Sequence, residues 1–170
     1  MKILLIVVIV LALPVLVPAV IGAMLPRDHT ATRSAVFNVS AERLFELIAG
    51  PQDWRRDLKS YQRGRDAAGN AWIRKTNRRG QTVTYAVVAL DPPRRYVARI
   101  SDRNLPYGGQ WTYEFEPRGP QVSLRITEQG EVYNPLFRFV SRFVIGHTAT
   151  IDQYLRALAT QTGGSVSIQP

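Results

Sequence analysis

His29 and His147 are the two histidines of this chain, and an imidazole that titrates near neutral pH is the first group to consider for proton transfer. His147 lies one helical turn before Ile151, close to an apolar stripe, so it is a candidate base; its ordinary alternative is a hydrogen-bonded core or surface histidine. The other polar candidates sit in alternating segments. Glu114 points away from Trp111, Tyr113 and Phe115, and Arg99 opposes Ala98 and Ile100, so both are expected to face outward. Tyr85, Tyr96, Tyr113 and Tyr133 could each present a hydroxyl to a ligand, although aromatic residues on an inner sheet face are ordinary core. Nothing forms a catalytic dyad, so no residue is assigned as catalytic. The chain has no cysteine, which removes thiolate metal sites, disulfides and a cysteine nucleophile. No spacing of His and acidic residues suggests a metal centre, and no glycine-rich loop follows a strand to hold phosphate. Gly108-Gly109 precedes a strand rather than a helix. No cofactor is implied.

The segment that would position His147 is the longest soluble stretch with a helical period, Asn134 to Gln161. Phe137, Val140, Val144, Ile151, Tyr154, Leu155 and Leu158 recur at three- and four-residue steps. Asn134 is a suitable cap, Pro135 fits the first helical position, and Gly163-Gly164 ends the pattern, so one long helix is expected. Its first half is apolar on other sides too, at Leu136, Phe139, Phe143 and Ile145. Either loops cover those residues or they wall an apolar ligand chamber.

The first 26 residues form a separate unit. Ile3 to Leu25 runs without a charged or strongly polar side chain. As a helix it would reach about 34 Å, enough for a hydrocarbon core of roughly 30 Å. A transmembrane anchor is expected. A cleaved signal peptide is the alternative, but its apolar region should be only about 7 to 15 residues, and no Ala-x-Ala site follows. Lys2 and the amino terminus oppose Arg27 and Arg33 across the membrane, and we take the domain to lie on the external or periplasmic side. Residues 27–32 would be a tether.

The formal net charge is +9, concentrated between Arg55 and Arg79. Arg55, Arg56, Lys59, Arg63, Arg65, Arg74, Lys75, Arg78 and Arg79 there face only Asp57 and Asp66. Beside a membrane anchor this block suits anionic lipid head groups. No nucleic-acid partner is expected, because no recognition helix, RNP-type motif or zinc pattern accompanies the charge. A solvated basic face is the plain alternative.

Arg33 to Val39 alternates as a strand, Ser40 caps a helix from Ala41 to Ala49, and a second short helical turn is expected over QDWRRD, Gln52 to Asp57. From Leu58 to Val132 six strands are separated by turn residues at Ala67 to Asn70, Arg79-Gly80, Asp91-Pro92-Pro93, Asn104 to Pro106 and Pro117 to Pro120. Inward rows are expected at Val83, Tyr85, Val87 and Ala89; at Tyr96, Ala98 and Ile100; at Trp111, Tyr113 and Phe115; and at Val122, Leu124 and Ile126. Connections this short require an antiparallel meander.

This order resembles the START-like or SRPBCC superfamily, an α+β helix-grip fold, and within it the polyketide cyclase/dehydrase-like group. SAVFNVSAERLFELIAGPQDWRRDLKSYQRG is similar to that group's opening, LDPPRRYVARI to its middle strand pair and GGQWTYEFEPRGPQVSLRITEQGEV to its last hairpin. The resemblance covers about Arg33 to Ala159. It implies a ligand-binding domain over residues 33–161 in which the sheet wraps the long C-terminal helix around a deep apolar chamber, with a disordered tail over residues 162–170. It also implies a hydrophobic ligand such as a lipid, sterol, quinone or polyketide. Strand parity and helix phase select Trp72, Tyr85, Trp111, Tyr113, Val140, Val144, His147 and Ile151 as the chamber lining. Two alternatives stay open: a cyclase- or dehydratase-type enzyme with His147 as base, and a protein-interaction module whose interior is filled by side chains.

Overall fold

The computed structural model describes residues 2–170, with side chains from residue 12 onward. Helix α1 (Lys2–Met24) precedes strand β1 (Asp28–Phe37), helix α2 (Ala41–Ala49) and strands β2 (Leu58–Arg65), β3 (Ala71–Asn77), β4 (Thr82–Asp91), β5 (Arg95–Ile100), β6 (Tyr107–Arg118) and β7 (Gln121–Val132). Helix α3 (Pro135–Val140), a π-helical turn (Ser141–Ile145) and helix α4 (Ala149–Gln161) close the chain. The sheet is antiparallel throughout, in the order β1-β7-β6-β5-β4-β3-β2. The expected meander is present, with β1 added beside β7. This α+β arrangement, a curved sheet holding a C-terminal helix, is the helix-grip fold.

Among the described residues no helix is long and apolar enough to cross a membrane. Within the expected span, Ile3 to Leu25, residues 3–11 lie outside those whose side chains are described. The carboxyl end of α1 docks on α3: Gly22 is buried where a β-carbon would strike the Pro135 carbonyl, and Arg138 Nη1 donates to the Leu25 carbonyl at 2.8 Å. That cation also lies where the helix dipole of α1 is negative.

The core lies where α2 and α4 pack on the strands around β7. Val122, Leu124 and Ile126 from β7 and Ile151, Leu155 and Leu158 from α4 have no solvent exposure, as period two on the sheet and period 3.6 on the helix require. Ser40 Oγ accepts from the Arg43 amide, and the helix it caps buries Leu44, Phe45 and Ile48. Arg33 Nε donates to Asp152 Oδ1 at 3.1 Å and its Nη2 to Thr148 Oγ1, tying the start of α4 to β1.

Four elements differ from expectation. β1 begins at Asp28, because residues 28–32, taken as tether, find ladder partners on β7 from Glu131 to Thr127. Gln52 to Asp57 forms turns rather than a helix: Gln52 Nε2 donates to the Ile48 carbonyl and Trp54 Nε1 to the Leu47 carbonyl, satisfying the open end of α2. The single long helix is broken. Its π-helical turn ends at Gly146, whose φ of 81° is unfavourable for any side chain, and α4 starts afresh after Thr148. The last residues, expected as a disordered tail, return along the sheet edge, where Ser34 and Gln169 exchange backbone hydrogen bonds.

Candidate functional site

Between the sheet and the α3–α4 segment lies a cavity of about 930 Å³. Its walls follow from strand parity. The inward residues Tyr85 of β4, Tyr96 and Ala98 of β5, and Trp111 and Tyr113 of β6 form the floor, and Tyr154 of α4 closes one side. Trp111 meets Tyr154 edge-on at 5.9 Å between ring centroids, so these aromatic rings brace one another. Phe137, Val140 and Ile145 from α3 and the π-helical turn hang over the opening. Phe137 and Ile145 are exposed, which marks this side as the mouth. Gly108 and Gly109 line the cavity at the start of β6.

Two polar poles interrupt the apolar wall. At the first, Lys75 of β3 projects beside the Tyr85 ring, with Nζ 5.4 Å from its centroid. Lys75 is half-buried in the cavity wall, and burial lowers its pKa to about 7. The Arg55 guanidinium pushes the same way and the Asp57 carboxylate opposes it. Asp57 is already engaged by Arg55, which donates from Nε at 2.8 Å and also from Nη2. Arg55 in turn lies over the Tyr154 ring, 5.1 Å from its centroid.

The second pole joins β1, β7 and the loop after the π-helical turn. His29 and His147 stack with ring centroids 3.9 Å apart, and His29 Nε2 is 3.9 Å from Glu128 Oε1, beyond hydrogen-bond reach. Gly130, opposite His29 in the β1–β7 ladder, makes room for that imidazole, since a β-carbon there would collide with the ring. Burial pushes the Glu128 carboxyl above the usual carboxylate range, with the Trp111 indole acting in the opposite direction, and Glu128 Oε2 is buried without a partner. Burial lowers both imidazoles; His147 lowers His29 further, and Arg142 does the same to His147. All three groups are thereby biased toward their neutral forms. The two histidines also border a smaller cavity of about 320 Å³ that contains Arg27, Arg138 and Arg142. Among the described residues no group of three or more His, Cys, Asp or Glu is placed to hold a metal ion.

Of the residues selected from sequence, Tyr85, Trp111, Tyr113, Val140 and His147 come together around the large cavity. Trp72, Val144 and Ile151 do not. Trp72 lies on the outer face of β3 against Gly64 and below Arg74, because the inward row of that strand is Ile73 and Lys75. Val144 is 71% exposed on the π-helical turn, and Ile151 is fully buried in the closed core. The row of Val83, Tyr85 and Val87 does not continue to Ala89, because a bulge after Val87 shifts Ala89 opposite Val97. Glu114 and Arg99 face outward, and the exposed Tyr133 donates from its hydroxyl to Glu131 beside Gly108 at the cavity edge.

The sequence profile of the family described as polyketide cyclase / dehydrase and lipid transport matches residues 28–162. The chain belongs to this family. Its fold is shared with a START superfamily protein from Mycobacterium smegmatis, at 17% identity and TM-score 0.61 over 79% of this chain and 97% of that one. An uncharacterized protein from Bacillus thuringiensis aligns at 18% identity and TM-score 0.59 over 79% and 98%. Norcoclaurine synthase from Thalictrum flavum, crystallised with dopamine and hydroxybenzaldehyde, aligns at 10% identity and TM-score 0.59 over 84% and 90%. No curated protein matches the chain. Membership of this family agrees with the SRPBCC resemblance, and the solved structures share the fold.

For this polyketide cyclase/dehydrase family member, the charged lining is what sequence reasoning missed. Glu128 continues the inward row of Val122, Leu124 and Ile126 by one more step, and Lys75 continues that of Ile73. A charge in phase with an apolar row was the available signal. The basic block conceals it: Lys59, Arg63, Arg65, Arg74, Arg78 and Arg79 are exposed, whereas Arg55, Arg56 and Lys75 border the cavity.

Proposed function

We propose that this protein binds one hydrophobic small molecule between its curved sheet and the α3–α4 segment. The observation that carries this reading is the cavity of about 930 Å³ with aromatic and aliphatic walls, near the upper end of the roughly 300–1,000 Å³ typical of small-molecule sites. An interaction module with a filled interior would have no such space. Family membership agrees with a lipid- or polyketide-like ligand. Native mass spectrometry of the detergent-extracted full chain tests it: a co-purifying mass in the lipid, sterol, quinone or polyketide class is expected. A protein that carries none, and that also fails to take up a neutral fluorophore such as Nile red, would sink the reading.

The same proposal includes membrane attachment through α1, with the domain on the external side. Its support is the uncharged run from Ile3 to Leu25 and the apolar surface that accompanies it. Leu13, Val15, Leu16, Val17 and Val20 of α1 are exposed, as are Leu136, Phe137, Phe143, Val144 and Ile145 on the neighbouring α3 and π-helical turn. A lipid interface would cover both sets and bring the cavity mouth to the bilayer. Contact with anionic lipid would fall to the exposed members of the basic block. Fractionation after carbonate extraction tests attachment: the full chain should stay in the membrane pellet, and release into the supernatant would refute it.

One feature favours a second reading, that of a cyclase- or dehydratase-type enzyme. His29, His147 and Glu128 cluster at one end of the cavity, with burial raising the Glu128 carboxyl and lowering both imidazoles so that all three favour their neutral forms, a neutral acid beside neutral bases that suits general acid–base work. Under this reading His147→Ala lowers turnover of a hydrophobic polyketone by about 100-fold or more; unchanged turnover would exclude His147 as its base.

A further inference from the structure

The first polar pole narrows the chemistry of the ligand, on the assumption that the cavity binds one. Lys75 and Arg55 bring two cationic side chains to one part of the cavity wall, beside the carboxylate of Asp57. Arg55 Nε and Nη2 are committed to Asp57. Arg55 Nη1 and Lys75 Nζ have no hydrogen-bond partner among the described residues. The Lys75 amine faces Arg55 and Asp57 from the loop after α2, Tyr61 across the ladder from β2, and the Tyr85 ring from β4. None of these supplies a second negative charge. The opposite pole carries Glu128 and would repel an anion once ionised, so the chamber is electrically asymmetric.

We propose that Lys75, assisted by Arg55, is the recognition site for an anionic head group on the hydrophobic ligand, a carboxylate or a phosphate monoester whose apolar body lies along Tyr85, Tyr96 and Trp111 toward the mouth. A bound anion would restore the full charge of an ammonium that burial has weakened, which makes the head group, rather than the chain, the source of selectivity.

The test uses the full chain in nanodiscs of zwitterionic lipid, with empty nanodiscs as the blank. Displacement of Nile red is followed with dodecanoate, dodecyl phosphate, methyl dodecanoate and dodecanol. Wild-type protein should bind one of the anions about 10- to 100-fold more tightly than the ester and the alcohol; which anion wins tells a fatty acid from a phosphate-bearing lipid. Lys75→Met should erase that preference, so that the anions bind no more tightly than the ester and the alcohol, and Lys75→Arg should restore most of it. Equal binding of anions and neutral analogues by wild type would overturn the proposal while leaving the cavity reading intact, and so would a preference that survives Lys75→Met. Failure of Nile red to bind would remove both. Wild-type selectivity decides the matter alone if the methionine variant does not fold.

Discussion

α4 and the segment just before it have similar apolar content and opposite fates. Ile151, Leu155 and Leu158 are sealed against the sheet and α2, whereas Phe143, Val144 and Ile145, a few residues earlier, are 58–71% exposed beside the cavity mouth. The break at Gly146 separates them. Apolar periodicity says that a surface must leave water; it does not say whether side chains, a ligand or a bilayer will cover it. In this molecule the closed half is covered by its own chain, and the open half is left for something else.

The comparison breaks most easily at the closed end. Leu155→Ala should cost about 2–5 kcal/mol, the usual range for a fully buried leucine, read as a lower thermal midpoint of the full chain in detergent. Gly146→Ala comes next: a side chain at that φ costs about 1–2 kcal/mol, and the variant should also weaken Nile red uptake because the mouth is displaced. Arg33→Ala, which cuts the tie between β1 and the start of α4 at a half-buried ion pair, should cost about 1 kcal/mol. Phe143→Ser should change stability by less than about 0.5 kcal/mol while weakening membrane retention. If instead it destabilised the fold as much as Leu155→Ala, the division into closed and open halves would be wrong.

A pH experiment sharpens the same contrast. The Lys75 ammonium has a pKa near 7 in the folded protein against 10.5 ordinarily, so the unfolded chain holds that proton over a range where the folded one has released it. Stability contributed through Lys75 therefore rises as pH increases from about 7 to about 10.5. The difference in denaturation free energy between wild type and Lys75→Met should narrow across that window, and a difference that stayed constant with pH would show that Lys75 is not desolvated by the cavity. An anionic ligand should bind more weakly as the pH is raised above about 7, since the amine loses its charge.

Much of the fold was legible because its signals are local. Ser40 and Asn134 accept the amide hydrogen bonds that their positions before α2 and α3 require. The turn residues between strands fall where the chain reverses, and the rows of Tyr96, Trp111 and Val122 face inward. Where local signals conflicted, the reading failed. Trp72 and Ile73 are adjacent and both apolar, so parity alone could not say which faced inward; packing of the Trp72 indole on Gly64 put Ile73, and hence Lys75, on the cavity side. The continuous stripe from Phe137 to Leu158 concealed the break at Gly146, since a glycine inside a periodic run is compatible with helix until tertiary contacts favour another conformation. Gln52 to Asp57 lost its helix to hydrogen bonds offered by the end of α2, a partner outside its own sequence window.

The sequence by itself determined the meander, the capped helices, the apolar amino-terminal run and the surplus of grease around Phe139 and Phe143, because each follows from the periodicity and chemistry of neighbouring residues. Only the tertiary structure decided that the surplus borders an open cavity, that His29, His147 and Glu128 meet, and that one lysine of a basic block turns inward beside Arg55. Those outcomes depend on strand register and sheet curvature, which bring together residues far apart in the chain.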